Sequence, residues 1–362
     1  MMPQRLYTPG PVRIPQTILD ACAQPPMHHR TAAFMELSER IWQNLQRIFL
    51  TKEPVIVLAG SSMTGIEAVA WSLHKPGDHA LVIEHGRFGE RIEHILGLAG
   101  VHVQALRAQW GRSVSVDDVM QAIDEAGDLA SIWLVHSETS TGVTLDLESI
   151  ARAVRAVRPD IMICVDAVSS VAVHEVKVDE WELDAVICGT QKGLMCPPGL
   201  ACLSLSNRAR RHLDTLPQRV YTMNLHDVLA HRRKGLFVWT PPVTLLAGLD
   251  AALGIILEEG MEHVWARHMQ VTNRLHRELA GRGFALFGEA SSHALTAVLH
   301  DRSEDIRHAL EERHDIIVAG GQDHLHGTML RIGTCGPMTS GDIRDFMTAF
   351  DDVCSTLDID RI

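Results

Sequence analysis

The chain predicts an α/β fold, a large domain with a mostly parallel mixed sheet followed by a smaller α+β domain, and three features carry that reading. Short β-rich apolar runs alternate with helical spacings through the first two-thirds, as in a sheet covered on both faces. The runs are apolar nearly throughout, as strands of a mostly parallel sheet covered on both faces are. After Pro241-Pro242 the pattern changes to long helices and short strands.

In chain order, strands are expected over 55–59, 80–83, 131–135, 161–165, 185–188 and 201–205. Between them the apolar residues step by three and four. Ile41, Leu45 and Ile48, and again Ile150, Val154 and Val157, each fit one buried helix face. Later helices are expected over 249–257 and 264–279, the second stopped by Gly281, with a closing helix over 343–353. The division this implies is an N-terminal arm 1–15, a large domain 16–245 and a small domain 246–362.

A chain of 362 residues with 46% apolar residues suffices for one large core and a second smaller one. Its net charge of -12 argues against a nucleic-acid partner, since a polyanion needs clustered cations, and favours a small molecule. Met1 to Arg5 is not a basic region leading into an apolar run, and no stretch approaches the roughly 18 apolar residues of a membrane span. A soluble, cytoplasmic protein without a membrane partner is expected. The seven cysteines are odd in number and scattered, so buried free thiols are a better account than a disulfide framework. No metal is expected. His28-His29 and His324/His326 are the nearest approach to a cluster, and no spacing sets ligands on one face.

In open α/β sheets ligands sit at the carboxyl ends of strands, so the residues just after each run are the informative ones. Of five lysines, four lie in charged or turn-like surroundings. Lys192 instead follows run 185–188 through Gly189-Thr190-Gln191 and precedes Gly193-Leu194-Met195. A lysine desolvated there has a lowered pKa and can join an aldehyde as a Schiff base; an ordinary snorkelling lysine is the alternative. Asp166 ends the apolar run 161–165. A carboxylate in that position needs a cation or donors, and either a protonated pyridine nitrogen or the turn that follows can supply them. Gly60-Ser61-Ser62-Met63-Thr64-Gly65 stands between a strand and a helix, where free N–H groups and small residues make a phosphate cradle or a plain Ser-rich cap. It is not a Walker motif.

Taken in order, these elements resemble class V aminotransferases of the serine–pyruvate, alanine–glyoxylate and serine–glyoxylate type. The resemblance covers nearly the whole chain. It rests on Thr8-Pro9-Gly10-Pro11, Gly60 to Ala68, His85-Gly86-Arg87-Phe88-Gly89-Glu90-Arg91, His136-Ser137-Glu138-Thr139-Ser140-Thr141-Gly142, Val165 to Ser170, Gly189 to Gly193 with Pro197-Pro198-Gly199, and Leu330-Arg331-Ile332-Gly333. It implies the fold-type I architecture and pyridoxal 5'-phosphate (PLP) as cofactor. Lys192 becomes the Schiff-base lysine and Asp166 the partner of the pyridine nitrogen. Val168 and Phe88 take opposite ring faces, Phe88 standing where relatives often carry Trp. Thr139 bonds the phenolic oxygen, and Ser61, Ser62, Met63 and Gln191 lie at the phosphate.

The resemblance also implies a homodimer with a cross-subunit active site, Thr240 reaching the other subunit's phosphate and Phe237 replacing a family tyrosine. Arg331 takes the substrate α-carboxylate, for which a planar fork is suited, although a structural salt bridge would also explain it. Gly10 joins it at the substrate. Val12, His28, His29 and Arg30 either shape specificity or form a surface cluster. The activity implied is a ping-pong transfer of an amino group from serine or alanine to glyoxylate or pyruvate, with Lys192 moving the proton. Two alternatives stand beside it. One is a lyase such as a cysteine desulfurase, with Cys335 as the nearest candidate thiol; the other is a PLP-fold protein without catalysis.

Overall fold

The computed structural model describes residues 4–359. Its main sheet has seven strands in the spatial order Val55–Ala59, Leu200–Leu205, Ala185–Gly189, Met162–Asp166, Ser131–Val135, His79–Glu84 and His102–Arg107. The neighbours from Ala185–Gly189 through His102–Arg107 run parallel, and Leu200–Leu205 is antiparallel to both strands beside it.

The apolar runs are explained by two cores, one on each face of this sheet. Val55, Val57, Leu81, Ile83, Ile132, Leu134, Ile163 and Val165 point into one, with helices Ala32–Phe49, Val116–Ala126 and Leu147–Val157. Ile56, Leu58, Ala80, Val82, Trp133, Met162 and Cys164 point into the other, with Ser62–Ser72 and Arg87–Leu98. Successive side chains on a strand face opposite ways, so a strand buried on both faces must be apolar throughout. The strand His102–Arg107 is not among the expected runs. It lies at the sheet edge with both ends exposed, and its polar residues, His102 and Gln104 among them, blunt the apolar signal.

The small domain carries a four-stranded antiparallel sheet in the order Ala285–Leu286, Leu295–Leu299, Met329–Gly333, Ala319–Gly320. Val271, Leu275 and Leu279 of Met261–Ala280, Ile306 and Leu310 of Ser303–His314, and Phe346 and Phe350 of Ser340–Thr356 share its core. The helix Val243–Glu259 spans residue 246 and gives Leu246, Leu249, Leu253 and Ile256 to the large core. Its successor gives Val264 to the large core before joining the small one.

The N-terminal arm is tied chiefly to the small domain. Arg5–Leu6 pairs in parallel with Ile316–Ile317, the Tyr7 hydroxyl donates to the Asp342 carbonyl at 2.9 Å, and Arg13 pairs with Asp342 at 2.8 Å. Two further contacts join the large domain to the small one: Arg87 approaches Asp323 at 3.6 Å, and the Trp110 ring lies 4.6 Å from His324. The carboxyl ends of the main strands therefore open into the space between the two domains.

Candidate active site

Lys192 projects from a turn closed by its own backbone. The Met195 N–H donates to the Lys192 carbonyl at 2.9 Å, the Cys196 N–H to the Thr190 carbonyl at 2.9 Å, and the Thr190 hydroxyl to the Pro197 carbonyl at 2.9 Å. Its side chain is 8% exposed. Burial holds the amine below the ordinary lysine range; Cys335, Asp166 and Glu138 act against that shift, and Arg331 adds to it. A buried amine of lowered basicity is the form that attacks a carbonyl or accepts a proton near neutral pH.

Asp166 ends its strand and is 5% exposed. One carboxylate oxygen accepts the Val168 N–H at 2.9 Å, and no cation pairs with it among the described residues. Burial pushes its pKa up to about 6, with the Val168 N–H and Lys192 pulling the other way. A buried carboxyl that lacks a cationic partner is suited to a protonated ring nitrogen. Val168 belongs to the apolar cluster on this face of the sheet, and Phe88 packs against the same cluster. Phe88 is held by Glu138, a fully buried carboxylate that accepts the Phe88 N–H at 2.9 Å, the Ser140 N–H at 2.9 Å and the Ser140 hydroxyl at 2.6 Å. Glu138 stands within the run His136 to Gly142, and nothing in that run announces the role it plays here.

The Ser-rich turn is an open helix start. Ser61 occupies the N-cap of Ser62–Ser72 and makes no side-chain capping bond, which leaves its oxygen and the first N–H groups for an anion. The helix can lie close to the sheet because Gly65 has no side chain; a Cβ there would be 2.8 Å from Ile187 Cγ2. Gly189 serves the same end, since a Cβ on it would meet Gln191 Oε1 at 2.6 Å and Ser62 Cβ at 3.1 Å. Ser62 and Gln191, far apart in sequence, thus face the same small space. Met63, the next helix residue, is partly buried beside Arg87 and Arg91.

Arg331 lies mid-strand in Met329–Gly333 and is 8% exposed. Its Nε donates to the Gly320 carbonyl at 2.7 Å and its Nη1 to the Thr139 carbonyl at 2.8 Å. Among the described residues no carboxylate forms an ion pair with it, and burial lowers its pKa, opposed by Glu138. Two of five N–H donors are spoken for, so the guanidinium keeps a free edge for a planar anion. Its bond to Thr139 also ties the small domain to the turn expected at the ring's phenolic oxygen.

Gly10 sits directly against Lys192. A Cβ there would fall 2.5 Å from Cδ and Cε and 2.9 Å from Nζ. Thr240 is exposed and lines a cavity with Ala59 and Thr64, beside the Ser-rich turn of its own chain. His28 and Arg30 are exposed, and Arg30 Nε approaches His29 Nε2 at 3.5 Å. Cys335 is 2% exposed and its thiol points to the Pro9 carbonyl at 3.8 Å; burial pushes its pKa up to about 11, which suits packing more than nucleophilic attack.

Residues 9–344 match the family Aminotransferase class-V. The soluble hydrogenase 42 kDa subunit of Anabaena cylindrica is 35% identical over 344 residues, covering 93% of this chain and 90% of the relative. The serine–glyoxylate aminotransferase of Methylorubrum extorquens is 30% identical over 349 residues, covering 92% and 86%. Among solved structures, the aspartate aminotransferase of subgroup IV from Thermus thermophilus superposes with a TM-score of 0.90 at 32% identity, covering 97% of this chain and 99% of that one.

Proposed function

The chain belongs to the class-V aminotransferase family and is a PLP-dependent transaminase of fold type I, and from that premise we propose that it moves an amino group from serine or alanine to glyoxylate or pyruvate. One observation carries the substrate half of this reading: Arg331, buried and without a carboxylate partner among the described residues, shares the site of Lys192. It suits the α-carboxylate common to all four molecules. Among relatives, the serine–glyoxylate enzyme is named for one of these pairs.

The residues present fit PLP. Lys192 would hold it covalently, Asp166 would meet the ring nitrogen, Val168 and Phe88 the ring faces, Thr139 the phenolic oxygen, and Ser61, Ser62, Met63 and Gln191 the phosphate. Bound there, PLP supplies a ring that withdraws electrons from the substrate Cα. Arg331 orients the substrate by its carboxylate, with Gly10 beside it. Lys192 Nζ, once free, would take the proton from the substrate Cα and deliver it to the cofactor carbon that had carried the aldehyde. Asp166 keeps the ring nitrogen protonated. Glu138 fixes Phe88, and the buried surround excludes water.

We place the protein in the cytoplasm as a homodimer in which Thr240 of the partner subunit completes the phosphate site. Support for the dimer comes from Tyr221 and Trp239, 74% and 43% exposed and 5.0 Å apart, next to Thr240. Phe237 packs on Phe34 and Trp42 of its own chain, consistent with its having no phosphate role here. The free thiols, six of seven buried, fit a reducing compartment.

The test is an absorption spectrum between about 300 and 500 nm, where bound PLP absorbs. The band should fade with L-serine or L-alanine and return with glyoxylate. Lys192→Ala should lower steady-state turnover by roughly 10²- to 10⁴-fold. Exchange with L-aspartate instead would move the donor class toward the Thermus enzyme's. No band after PLP is added would favour a subunit role without catalysis, the reading closest to the Anabaena relative's name. Sulfide release from cysteine would favour a desulfurase.

A further inference from the structure

We infer that Gly10 is a positioning residue for Lys192: its missing side chain leaves the space that the lysine needs, and the arm ties that space to the strand bearing Arg331. This rests on the reading of Lys192 given above. Gly10 has a φ of +144°, and a Cβ would stand 2.5 Å from two Lys192 carbons and 2.9 Å from Nζ. Both distances lie far inside van der Waals contact, and the obstacle would be the working end of a residue that must move during turnover.

The arm is clamped on both sides of Gly10. The Gly333 N–H donates to the Tyr7 carbonyl at 2.6 Å, two residues beyond Arg331, and the Val12 N–H donates to the Gln191 carbonyl at 3.1 Å, one residue before Lys192. A Cβ at Gly333 would sit 2.0 Å from the Thr8 oxygen, and one at Gly336 would sit 2.9 Å from Val12. The arm therefore touches the carboxylate-binding strand and the lysine turn without slack. Its place in the site sets how far Nζ stands from a substrate held at Arg331.

Four proteins test this: wild type, Gly10→Ala, Lys192→Ala and the double variant, with Gly336→Ala as a control that presses the arm without facing Lys192. Two readouts are used. One is the half-reaction with L-serine, driven in the Lys192→Ala proteins by added methylamine. The other is the affinity of each apo-protein for PLP by spectral titration. With Lys192 present, Gly10→Ala should slow the half-reaction about tenfold to a hundredfold and weaken PLP uptake. In Lys192→Ala, whose side chain ends at Cβ, the clash is gone and only the strain of an alanine at a φ of +144° remains, so the loss in both readouts should be smaller by about fivefold or more. Gly336→Ala should act equally in both backgrounds.

Equal losses from Gly10→Ala in the two backgrounds, or no loss in either, would overturn the inference. So would a Gly10→Ala chain that fails to fold with or without the lysine, since Gly10 would then serve only the backbone. A wild-type protein that takes up no PLP marks failure of the functional reading instead.

Discussion

Arg331 is the residue whose chemistry the sequence conveys most directly: a guanidinium in an apolar strand must answer to some anion, and among the described residues no carboxylate forms an ion pair with it, Glu138 acting on it only through its charge. Lysine in its place keeps the charge but loses the fork that serves the Gly320 and Thr139 carbonyls together with a carboxylate. Charged hydrogen bonds contribute about 1.5–3 kcal/mol, so Arg331→Lys should raise KM for the amino donor roughly tenfold to a hundredfold, with a smaller effect on kcat. Steady-state kinetics with serine check this, and an unchanged KM would place the carboxylate elsewhere. The burial of Lys192 and Asp166 was legible for a related reason, since each is an ionisable group at or just beyond the end of an apolar strand. Glu138 was not. Its work is done on backbone N–H groups, one of them 50 residues earlier, and no spacing in the sequence encodes such a contact.

At the scale of elements, what aligns Asp166 with Lys192 lies at the opposite end of their strands. Asp184 is fully buried just before Ala185–Gly189. It accepts the Ile163 N–H at 2.8 Å near the start of Met162–Asp166, bonds the Ser206 hydroxyl at 2.7 Å, and pairs with Arg208 at 2.9 Å and with Arg155. Three strands are pinned by one carboxylate, and the register Asp166 to Ile187 follows from it. Removing one partner of a buried ion pair leaves the other uncompensated, at a cost of about 3–5 kcal/mol. Asp184→Ala should lower the stability measured by urea unfolding by that amount and weaken PLP binding through the loosened strand ends. A loss below about 1 kcal/mol would mean that water reaches Arg155 in the variant. Most strands and helices were legible because burial on both faces writes an apolar run. The edge strand His102–Arg107 escaped because one exposed flank lets polar residues in.

For the whole molecule, the junction between the domains holds a set of histidines that burial keeps neutral. His174 accepts the His293 N–H at 2.9 Å and stacks on that ring at 4.5 Å; the His136 ring lies 5.4 Å from His174; and His268 accepts the Gly336 N–H at 3.2 Å. The pKa of His136 is pushed down to about 3 and that of His268 to about 3, while His174 and His293 are also lowered, in every case chiefly by burial. Nothing in the sequence announced this group, because its members come from both domains and only the fold gathers them. The unfolded chain takes up protons near the ordinary histidine pKa of about 6.5 and the folded chain does not, so stability falls as pH drops below that value, by up to about 1.4 kcal/mol per pH unit for each such group.

Asp166 and Glu84 act in the reverse sense. Burial raises their pKa values to about 6 and about 7, so the folded state holds their protons and their contribution is lost as pH rises through those values. His74, His85 and His276 are lowered by burial as well, so among the described residues seven histidines against two carboxyls decide the sign below pH 6. The apo-protein's Tm should fall steadily from pH 6.5 to 5, and His136→Phe, which removes a ring whose Nδ1 has no partner, should flatten that slope. Scanning calorimetry across this range reads both effects. A Tm that held level to pH 5 would mean that the junction opens and hydrates its histidines before the domains unfold, making the two domains separable units rather than one cooperative one.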